Sequence, residues 1–254
     1  MTFERVEKIK TLLQENGTVT LHGLQEIFPQ VTSMTLRRDL ERLEKEGVAI
    51  KIRGGAKAAA REPDTREPVY SLRVAKNIEA KLKIANRALP FLETGRSVYL
   101  DSGSTIMCLA SVLPDIKLMV MTSGPNIALE VLKSQRATVN IVGGLISHDN
   151  LSISGKQALD FIKNINIDIA FIAPSGFSIK DGFTCGNYAE ADLKRSVIKK
   201  ANRVIMLMDS HKTEKSLTYT FASPKDIDTL ITDTALPKAL QRALTRAGAE
   251  TIVV

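Results

Sequence analysis

Two loops of this chain combine a glycine with several hydroxyl groups directly after a short apolar run. Asp-Ser-Gly-Ser-Thr at 101–105 and Thr-Ser-Gly-Pro-Asn at 122–126 each stand between a strand-like run and a helical run. A glycine lets the backbone approach a ligand, and the N–H groups of a helix start attract an anion. Gly, Ser and Asn are also ordinary residues of strand-to-helix turns. For the two loops together, we favour a phosphate or another hydroxyl-rich ligand.

Charged residues of the same half of the chain are a second group with possible chemistry. Glu190 and Lys194 are four positions apart, so they share a helix face and can pair, although a surface pair contributes under about 1 kcal/mol. Asp209 closes the apolar run 204–208, which places an acid at a strand end. Lys212 offers a cation for a phosphate, and a flexible exposed lysine is nearly as consistent with its position.

The elements that must position these residues are alternating apolar strands and helices. We predict strands at 97–100, 118–121, 138–142, 169–173, 204–208 and 229–232, and helices at 72–92, 106–113, 127–132, 157–162 and 190–201. Continuous apolar strands separated by helices predict a mainly parallel sheet covered on both faces, whose ligands sit beyond the carboxyl ends of the strands. The ligand-binding candidates are Asp101, Ser102, Gly103, Ser104, Thr105, Thr122, Ser123, Gly143, Gly144, Gly176, Glu190, Lys194, Asp209 and Lys212.

The first 57 residues have a different pattern, which predicts a winged helix-turn-helix. Helical apolar spacing recurs at 3–15 and 21–28, and a third helix follows Thr32, a natural N-cap. Its apolar stripe is Leu36, Leu40 and Leu43, and we expect Gly47 to end it. A first turn of small polar residues with arginines behind it suits the major groove of DNA. Alternating Arg and Glu equally mark an ordinary solvated helix, so the pattern alone leaves that alternative open.

A short β-wing is predicted at 48–56, after the third helix. The DNA-binding candidates of the helix and wing are Thr32, Ser33, Met34, Thr35, Arg37, Arg38, Arg42, Lys51 and Arg53. Charge alone does not identify a DNA-binding protein, because residues 1–57 hold 10 basic and 8 acidic residues of a chain whose net charge is +7.

Composition excludes several classes of protein. The chain has 254 residues, 44% hydrophobic and 25% charged, which is ordinary for a globular protein with a small and a larger domain. No apolar run approaches a membrane span, and the N-terminus lacks a signal-peptide layout. Cys108 and Cys185 are far apart, so we expect reduced thiols in a cytoplasmic protein. The cysteines and three histidines have no metal-ligand spacing, and we predict neither a metal nor a cofactor.

The chain resembles the DeoR family of bacterial transcription regulators over almost its whole length. The likeness is carried in the first part by Thr35–Leu40, Leu43, Gly47 and Arg53–Ala56, and in the second by 101–105, Thr122–Ser123, Gly143–Gly144, 169–172 with Gly176, Glu190–Ala191 with Lys194–Arg195, and 209–212. Three details depart from the family pattern. The turn at 28–31 is a residue longer than usual, Ser104 stands where Thr is usual, and Pro174-Ser175 replaces a Gly/Ala and an acidic residue.

The resemblance implies a fold and a function. It implies a sensor domain similar to ribose-5-phosphate isomerase and CoA transferases, which binds a phosphorylated sugar or related metabolite, and a repressor of carbohydrate-utilisation genes. We predict a DNA-binding domain at 1–57, a linker at 58–70 and an effector-binding sensor domain at 71–254. Operator DNA is the expected partner. We also expect a homo-oligomer, a dimer or tetramer, because one small head reads too few base pairs to find one site in a genome.

Two alternatives to a sugar-responsive regulator remain open from the sequence. The first is an isomerase or transferase with a DNA-binding head, in which Glu190 acts as a base and Lys194 or Lys212 steadies an enediolate. Fold does not establish such an activity, and we predict that the protein is not an enzyme. The second alternative is a DNA-binding protein whose sensor has lost its ligand.

Overall fold

The chain divides into two compact units, Met1–Asp64 and Thr65–Val254. The structure, a computed structural model, describes residues 2–45, 48–58 and 67–254. The predicted helix end at Gly47 and residues 59–66 of the predicted linker lie outside the described residues.

The smaller unit has the predicted winged helix-turn-helix architecture. Its elements are α1 (Thr2–Asn16), β1 (Thr18–Thr20), α2 (Leu21–Ile27), α3 (Ser33–Lys45), β2 (Ala49–Ile52) and β3 (Gly55–Ala58). The apolar residues of α1 recur at helical spacing and pack on those of α2 and α3 in one buried cluster, which includes Val6, Ile9, Leu13, Leu24, Leu36, Leu40 and Leu43. These stripes alone make the helices converge on a common core.

An unpredicted strand completes the wing. β1 pairs antiparallel with β3, which pairs antiparallel with β2, in the order β1-β3-β2. Three residues are too few to give a recognisable period, so the sequence did not reveal β1. The pairing requires a glycine at 55, because a Cβ there would lie 2.1 Å from the carbonyl oxygen of Val19.

A seven-stranded parallel sheet forms the centre of the larger unit. Its strands are β4 (Ser97–Leu100), β5 (Leu118–Thr122), β6 (Ala137–Ile141), β9 (Ile167–Ile172), β12 (Ala201–Leu207), β14 (Thr229–Thr232) and β15 (Glu250–Val253). They lie in the order β15-β14-β12-β9-β4-β5-β6, with all neighbours parallel. Two small antiparallel groups accompany it: the β7–β8 pair (Leu145–Ile146, Ile153–Ser154) and the order β10-β11-β13 (Gly176–Ser178, Gly182–Cys185, Tyr219–Ala222).

Helices cover both faces of the sheet, as predicted from its continuous apolar strands. The helices are α4 (Tyr70–Ala75), α5 (Ile78–Ala88), α6 (Ser104–Ser111), α7 (Pro125–Val131), α8 (Lys156–Lys163), α9 (Tyr188–Lys200) and α10 (Lys238–Ala247). Val98 and Leu100 of β4 join one core cluster with residues of α5–α7, whereas Tyr99 joins a second with residues of α8–α10. Successive side chains of a strand point to opposite faces, so one apolar run serves two cores.

The prediction of a single helix over 72–92 was wrong. α4 ends at Ala75 and α5 begins at Ile78, because Asn77 adopts a left-handed conformation with φ 57°. The buried Lys81 ammonium donates to the carbonyl oxygens of Arg73 and Lys76, the latter at 2.7 Å, and so satisfies carbonyls at the end of α4. A short 3₁₀ turn, Leu89–Phe91, follows α5.

The sequence also missed the shortest strands and one edge strand. β7, β8, β10, β11 and β13 have two to four residues each and no apolar run longer than two residues, and β15 lies at the edge of the main sheet. No helix of the part of the chain that the structure describes is both long enough and apolar enough to cross a membrane.

Candidate functional site

The third helix of the smaller unit presents the predicted DNA-reading residues. Thr32 precedes the helix, and its hydroxyl oxygen accepts the Thr35 N–H at 3.3 Å and contacts the Thr35 hydroxyl at 3.0 Å. The stripe of Leu36, Leu40 and Leu43 is buried, which leaves the other faces of α3 to solvent. The exposed candidates of this helix are Ser33, Met34, Arg37, Arg38 and Arg42.

A buried ion pair fixes α3 on α1, and the sequence did not reveal it. Asp39 lies beside the apolar stripe and is buried, and its carboxylate accepts the Arg5 Nε–H at 2.7 Å. The helical spacing could have predicted its burial, since position 39 lies three residues after Leu36 and therefore on the buried face of the helix. The pair orients the helix that carries the exposed arginines.

The wing is attached to α3 through Lys51, one of the residues predicted to bind DNA. The Lys51 ammonium pairs with the Glu41 carboxylate at 2.7 Å, and the Lys51 backbone N–H donates to the Glu44 carboxylate at 3.0 Å. Arg53 is exposed at the tip of the wing, next to Gly54, whose φ is +84°.

The larger unit has its topological switch point between β4 and β9. From β4 the chain builds the sheet outward through β5 and β6, then returns to β9 and builds in the opposite direction through β12, β14 and β15. Open parallel sheets bind ligands in the crevice beyond the strand ends at such a point. Asp101 directly follows β4, and Ala173 directly follows β9.

Asp101, Glu190 and Lys194 meet at this switch point in one network, the Asp101 cluster. The Lys194 ammonium contacts the Asp101 carboxylate, pairs with Glu190 at 3.1 Å, and donates to the Ala173 carbonyl oxygen at 3.0 Å. The Asp101 carboxylate also accepts the Ala173 N–H at 3.0 Å. The side chains of Lys194 and Asp101 are only 2% and 1% exposed, so the pair of Glu190 and Lys194 is not the surface pair that its spacing also allowed.

Burial and charge act in opposite directions on this cluster. Burial by itself lowers the pKa of Lys194, but the carboxylates of Asp101 and Glu190 raise it overall, so the ammonium stays charged. Burial is the main reason that the pKa of Glu190 is raised, and Lys194 opposes that shift. Asn150 donates from its amide to the second oxygen of Glu190.

A second charged group, the Glu67 cluster, contains residues that the sequence analysis did not select. The Glu67 carboxylate pairs with Arg73, accepts the Ser175 hydroxyl, and accepts the Gly186 N–H at 3.3 Å. Glu67 lies in the segment predicted to be an exposed linker. No local pattern identifies it, because its burial depends on loops more than 100 positions away.

Asp209 and Lys212 follow β12 and differ in their contacts. Asp209 is buried, and its carboxylate accepts the His211 N–H at 3.2 Å and the Asn77 amide at 3.3 Å. Lys212 is half-buried, and burial lowers the pKa of its ammonium group although Asp209 and Glu67 oppose the shift. Within the residues that the structure describes, this ammonium has neither a hydrogen bond nor an ion pair.

The small residues of the prediction divide into three groups. Ser102, Ser104, Thr105, Thr122 and Ser123 are buried around the ends of β4 and β5, where the Thr122 hydroxyl oxygen accepts the Gly124 N–H at 3.0 Å. Three other predicted residues, Gly103, Gly144 and Gly176, have close neighbours that a Cβ would strike: the Ala173 side chain and the carbonyl oxygens of Ser154 and Lys215. Gly143 is exposed and has no such neighbour.

The described residues contain no group of three or more side chains suited to a metal ion. Charged and hydroxyl groups instead converge at the switch point, an arrangement that suits an anionic, hydroxyl-rich ligand.

Two sequence families match this chain. The DeoR-like helix-turn-helix domain matches residues 5–62, and the DeoR C terminal sensor domain matches residues 76–234.

Curated relatives match over nearly their whole length. The chain is 33% identical to the HTH-type transcriptional regulator GolR of Listeria innocua, over 97% of this chain and 96% of that protein. It is 30% identical to a putative aga operon transcriptional repressor of Escherichia coli, over 100% of this chain and 94% of that protein. It is 29% identical to the HTH-type transcriptional repressor GlcR of Bacillus subtilis, with coverage of 98% and 95%.

Solved structures overlap the chain loosely. Ribose 5-phosphate isomerase A of Methanocaldococcus jannaschii aligns with a TM-score of 0.41 at 16% identity, over 55% of this chain and 56% of that one. The translation initiation factor eIF-2B of Pyrococcus horikoshii aligns with a TM-score of 0.45 at 14% identity, over 85% and 81%. Overlaps this loose do not bear on what either unit does.

Proposed function

Since the chain belongs to the DeoR family of transcriptional regulators, we propose that it represses carbohydrate-utilisation genes under the control of a phosphorylated sugar or related metabolite. In this proposal α3 and the wing contact operator DNA through Thr32, Ser33, Met34, Thr35, Arg37, Arg38, Arg42, Lys51 and Arg53. The larger domain binds the effector at the ends of its parallel strands. The names of two relatives, both called repressors, support the direction of control.

The observation that carries the proposal is the set of buried charges at the switch point. Ions are expensive to remove from water, and the Lys212 ammonium near Glu67 and Asp209 has no hydrogen bond or ion pair among the described residues, so it is available to an anionic ligand. The Asp101 cluster and the nearby Lys212 offer both acceptors for sugar hydroxyls and a cation for a phosphate.

The enzyme alternative is weaker on this geometry. Glu190, the candidate base, is bound by the Lys194 ammonium at 3.1 Å and by the Asn150 amide, so a proton transferred to it from a substrate would have to compete with both contacts. The relatives reported above are named as regulators or repressors.

A homo-oligomer is part of the proposal. One small head reads too few base pairs to select a single genomic site, and a dimer or tetramer places two heads on two half-sites. An effector then acts by binding one arrangement of the heads more tightly than another, since equal affinity for both shifts nothing.

A thermal-shift screen tests the effector. Phosphorylated sugars and polyols are compared with their unphosphorylated counterparts at equal concentration. A ligand at about 100 times its Kd stabilises the native state by about 2.7 kcal/mol, which raises the Tm by roughly 5–10 °C for a domain of this size. We expect such a rise with a phosphorylated compound only. If none of the phosphorylated compounds raises the Tm, the sensor has lost its ligand and the proposal is wrong.

A further inference from the structure

The segment that leads from the head into the larger domain enters the proposed effector site. The side chain of Glu67 is only 8% exposed, and its carboxylate contacts Ser175, which follows β9, and the Gly186 N–H, which precedes α9. Tyr70 also holds the segment in place. The Tyr70 N–H donates to the Asp149 carbonyl oxygen at 2.6 Å, and its hydroxyl oxygen accepts the Asn126 amide at 2.5 Å.

The surrounding backbone is shaped for this carboxylate. At Gly186 a Cβ would lie 2.9 Å from the Glu67 Cβ, so a larger residue there would force the side chains apart. Burial by itself raises the pKa of Glu67, but Arg73, the Ser175 hydroxyl, Lys194 and Lys212 together lower it below its usual value. The group that occupies this position is therefore an anion.

The donors around Glu67 exceed what one carboxylate uses. The Nε–H of Arg73 is buried without a hydrogen-bond partner among the described residues. The Lys212 ammonium likewise has no hydrogen bond or ion pair in that part of the chain. Its segment runs beside Ser175, since Thr213 bridges to Phe177 and the Lys215 carbonyl oxygen lies against Gly176. A phosphate has more acceptor oxygens and more charge than a carboxylate, so it can engage donors that Glu67 leaves unused.

We propose that Arg73, Ser175, the Gly186 N–H and Lys212 form the subsite for the effector's phosphate, and that the Glu67 carboxylate is its built-in competitor. The inference rests on the proposed function and adds how occupation of the site is transmitted. An incoming phosphate replaces the carboxylate and releases the chain around residue 67. α4 stays in place, because Tyr70 and the Lys81 contact with the Arg73 carbonyl oxygen are not disturbed. Only residues 59–66 separate the released position from the described end of the wing.

Inorganic phosphate is the probe, and calorimetric titration of the full chain is the measurement. We expect Glu67→Gln to bind phosphate about tenfold more tightly than the unaltered protein, because the anion no longer displaces a like charge. Asp149→Asn is the matched control, since it removes an exposed carboxylate near the Tyr70 contact. Lys212→Met added to Glu67→Gln should abolish the gain in phosphate affinity. If Glu67→Gln acted only by loosening the segment, the gain would not depend on Lys212.

Limited proteolysis of the unaltered protein gives an independent readout that needs no variant to fold. Saturating phosphate should accelerate tryptic cleavage of the peptide bond that joins Arg66 to Glu67, and it should leave cleavage at Lys83 in α5 unchanged. The inference is overturned if Glu67→Gln binds phosphate no more tightly than Asp149→Asn, or if phosphate leaves cleavage before Glu67 unchanged. The proposed function fails separately, when phosphorylated sugars stabilise neither the unaltered protein nor Glu67→Gln.

Discussion

The two domains place their charged residues in opposite environments. Arg37, Arg38 and Arg53 of the smaller domain are exposed, whereas Asp101 and Lys194 of the larger domain are almost completely buried. An exposed cation costs little to maintain and meets a polyanion from solution, while a buried cation requires an internal counter-charge. The contrast teaches that the smaller domain leaves its arginines accessible from solvent, whereas the larger domain first uses charged residues to hold its own structure together.

Within the larger domain, Lys194 and Lys212 also differ in how their charges are neutralised. Lys194 has two carboxylate partners and a carbonyl oxygen, whereas the described residues offer no direct partner to the Lys212 ammonium. We therefore expect substitution of Lys194 to act on folding and substitution of Lys212 to act on ligand binding. Variants at buried and at exposed positions can break this division.

Removal of the buried cation should be the most damaging change. Lys194→Met leaves the carboxylates of Asp101 and Glu190 buried without a counter-charge, so we expect the free energy of unfolding of the larger domain to fall by about 3–5 kcal/mol. Urea denaturation followed by circular dichroism measures it. Lys199→Met, at an exposed position of the same helix, should cost under about 0.5 kcal/mol. Equal small losses in both variants would contradict the assigned role of Lys194.

The ion pair between Arg5 and Asp39 should be the strongest charged contact of the smaller domain. Asp39→Asn removes the charge that the Arg5 guanidinium faces at 2.7 Å, and we expect a loss of about 1.5–3 kcal/mol in the stability of that domain. The control is Glu41→Gln, which breaks only the exposed pair with Lys51. Thermal melting compares the two variants, and we expect a lower Tm for Asp39→Asn than for Glu41→Gln. Equal Tm values would show that burial adds nothing to the Asp39 pair.

The exposed arginines should affect DNA binding without affecting stability. Arg37→Ala or Arg38→Ala should weaken binding by about 1–3 kcal/mol, measured by fluorescence anisotropy with a duplex that the unaltered protein selects from random DNA. Phosphorylated-sugar binding should persist in both. Arg242→Ala is the control, because it removes an equal charge from an exposed position of the larger domain. If Arg242→Ala weakens DNA binding as much as Arg37→Ala does, net charge rather than α3 governs binding.

Lys51 should show the smallest effect. Its pair with Glu41 is exposed on both sides, so Lys51→Gln should change the stability of the domain by less than about 1 kcal/mol. If the wing contacts a phosphate of DNA, the slope of log K against log salt should become shallower by about 1. An unchanged slope would remove Lys51 from the DNA interface.

Sequence patterns predicted the elements whose signal is local. The strands at 97–100 and 229–232 have the predicted bounds, because each is an apolar run enclosed by polar or turn residues. The stripe of Leu36, Leu40 and Leu43 located α3 for the same reason. Spacing also brought Glu190 and Lys194 together, but it gave no indication of their burial, which depends on Asp101, 93 positions before Lys194.

The remaining features depend on distant contacts that no local pattern records. Residues 72–92 have continuous helical periodicity, yet the left-handed Asn77 divides them, with the Lys81 ammonium donating to two carbonyl oxygens on the preceding side. Glu67 has the local composition of an exposed linker. The burial of its carboxylate depends on contacts with Ser175 and Gly186, and these contacts could not be predicted without the fold.

The most direct test of the account is the DNA affinity of the full chain with and without the phosphorylated sugar that most raises its Tm. Allosteric coupling of this kind amounts to about 5–150-fold, and we expect a change within that range in the unaltered protein. Lys212→Met should retain the DNA affinity of the ligand-free protein and lose the response. An affinity that saturating effector leaves unchanged in the unaltered protein would contradict the claim that an effector bound in the larger domain controls DNA binding by the smaller one.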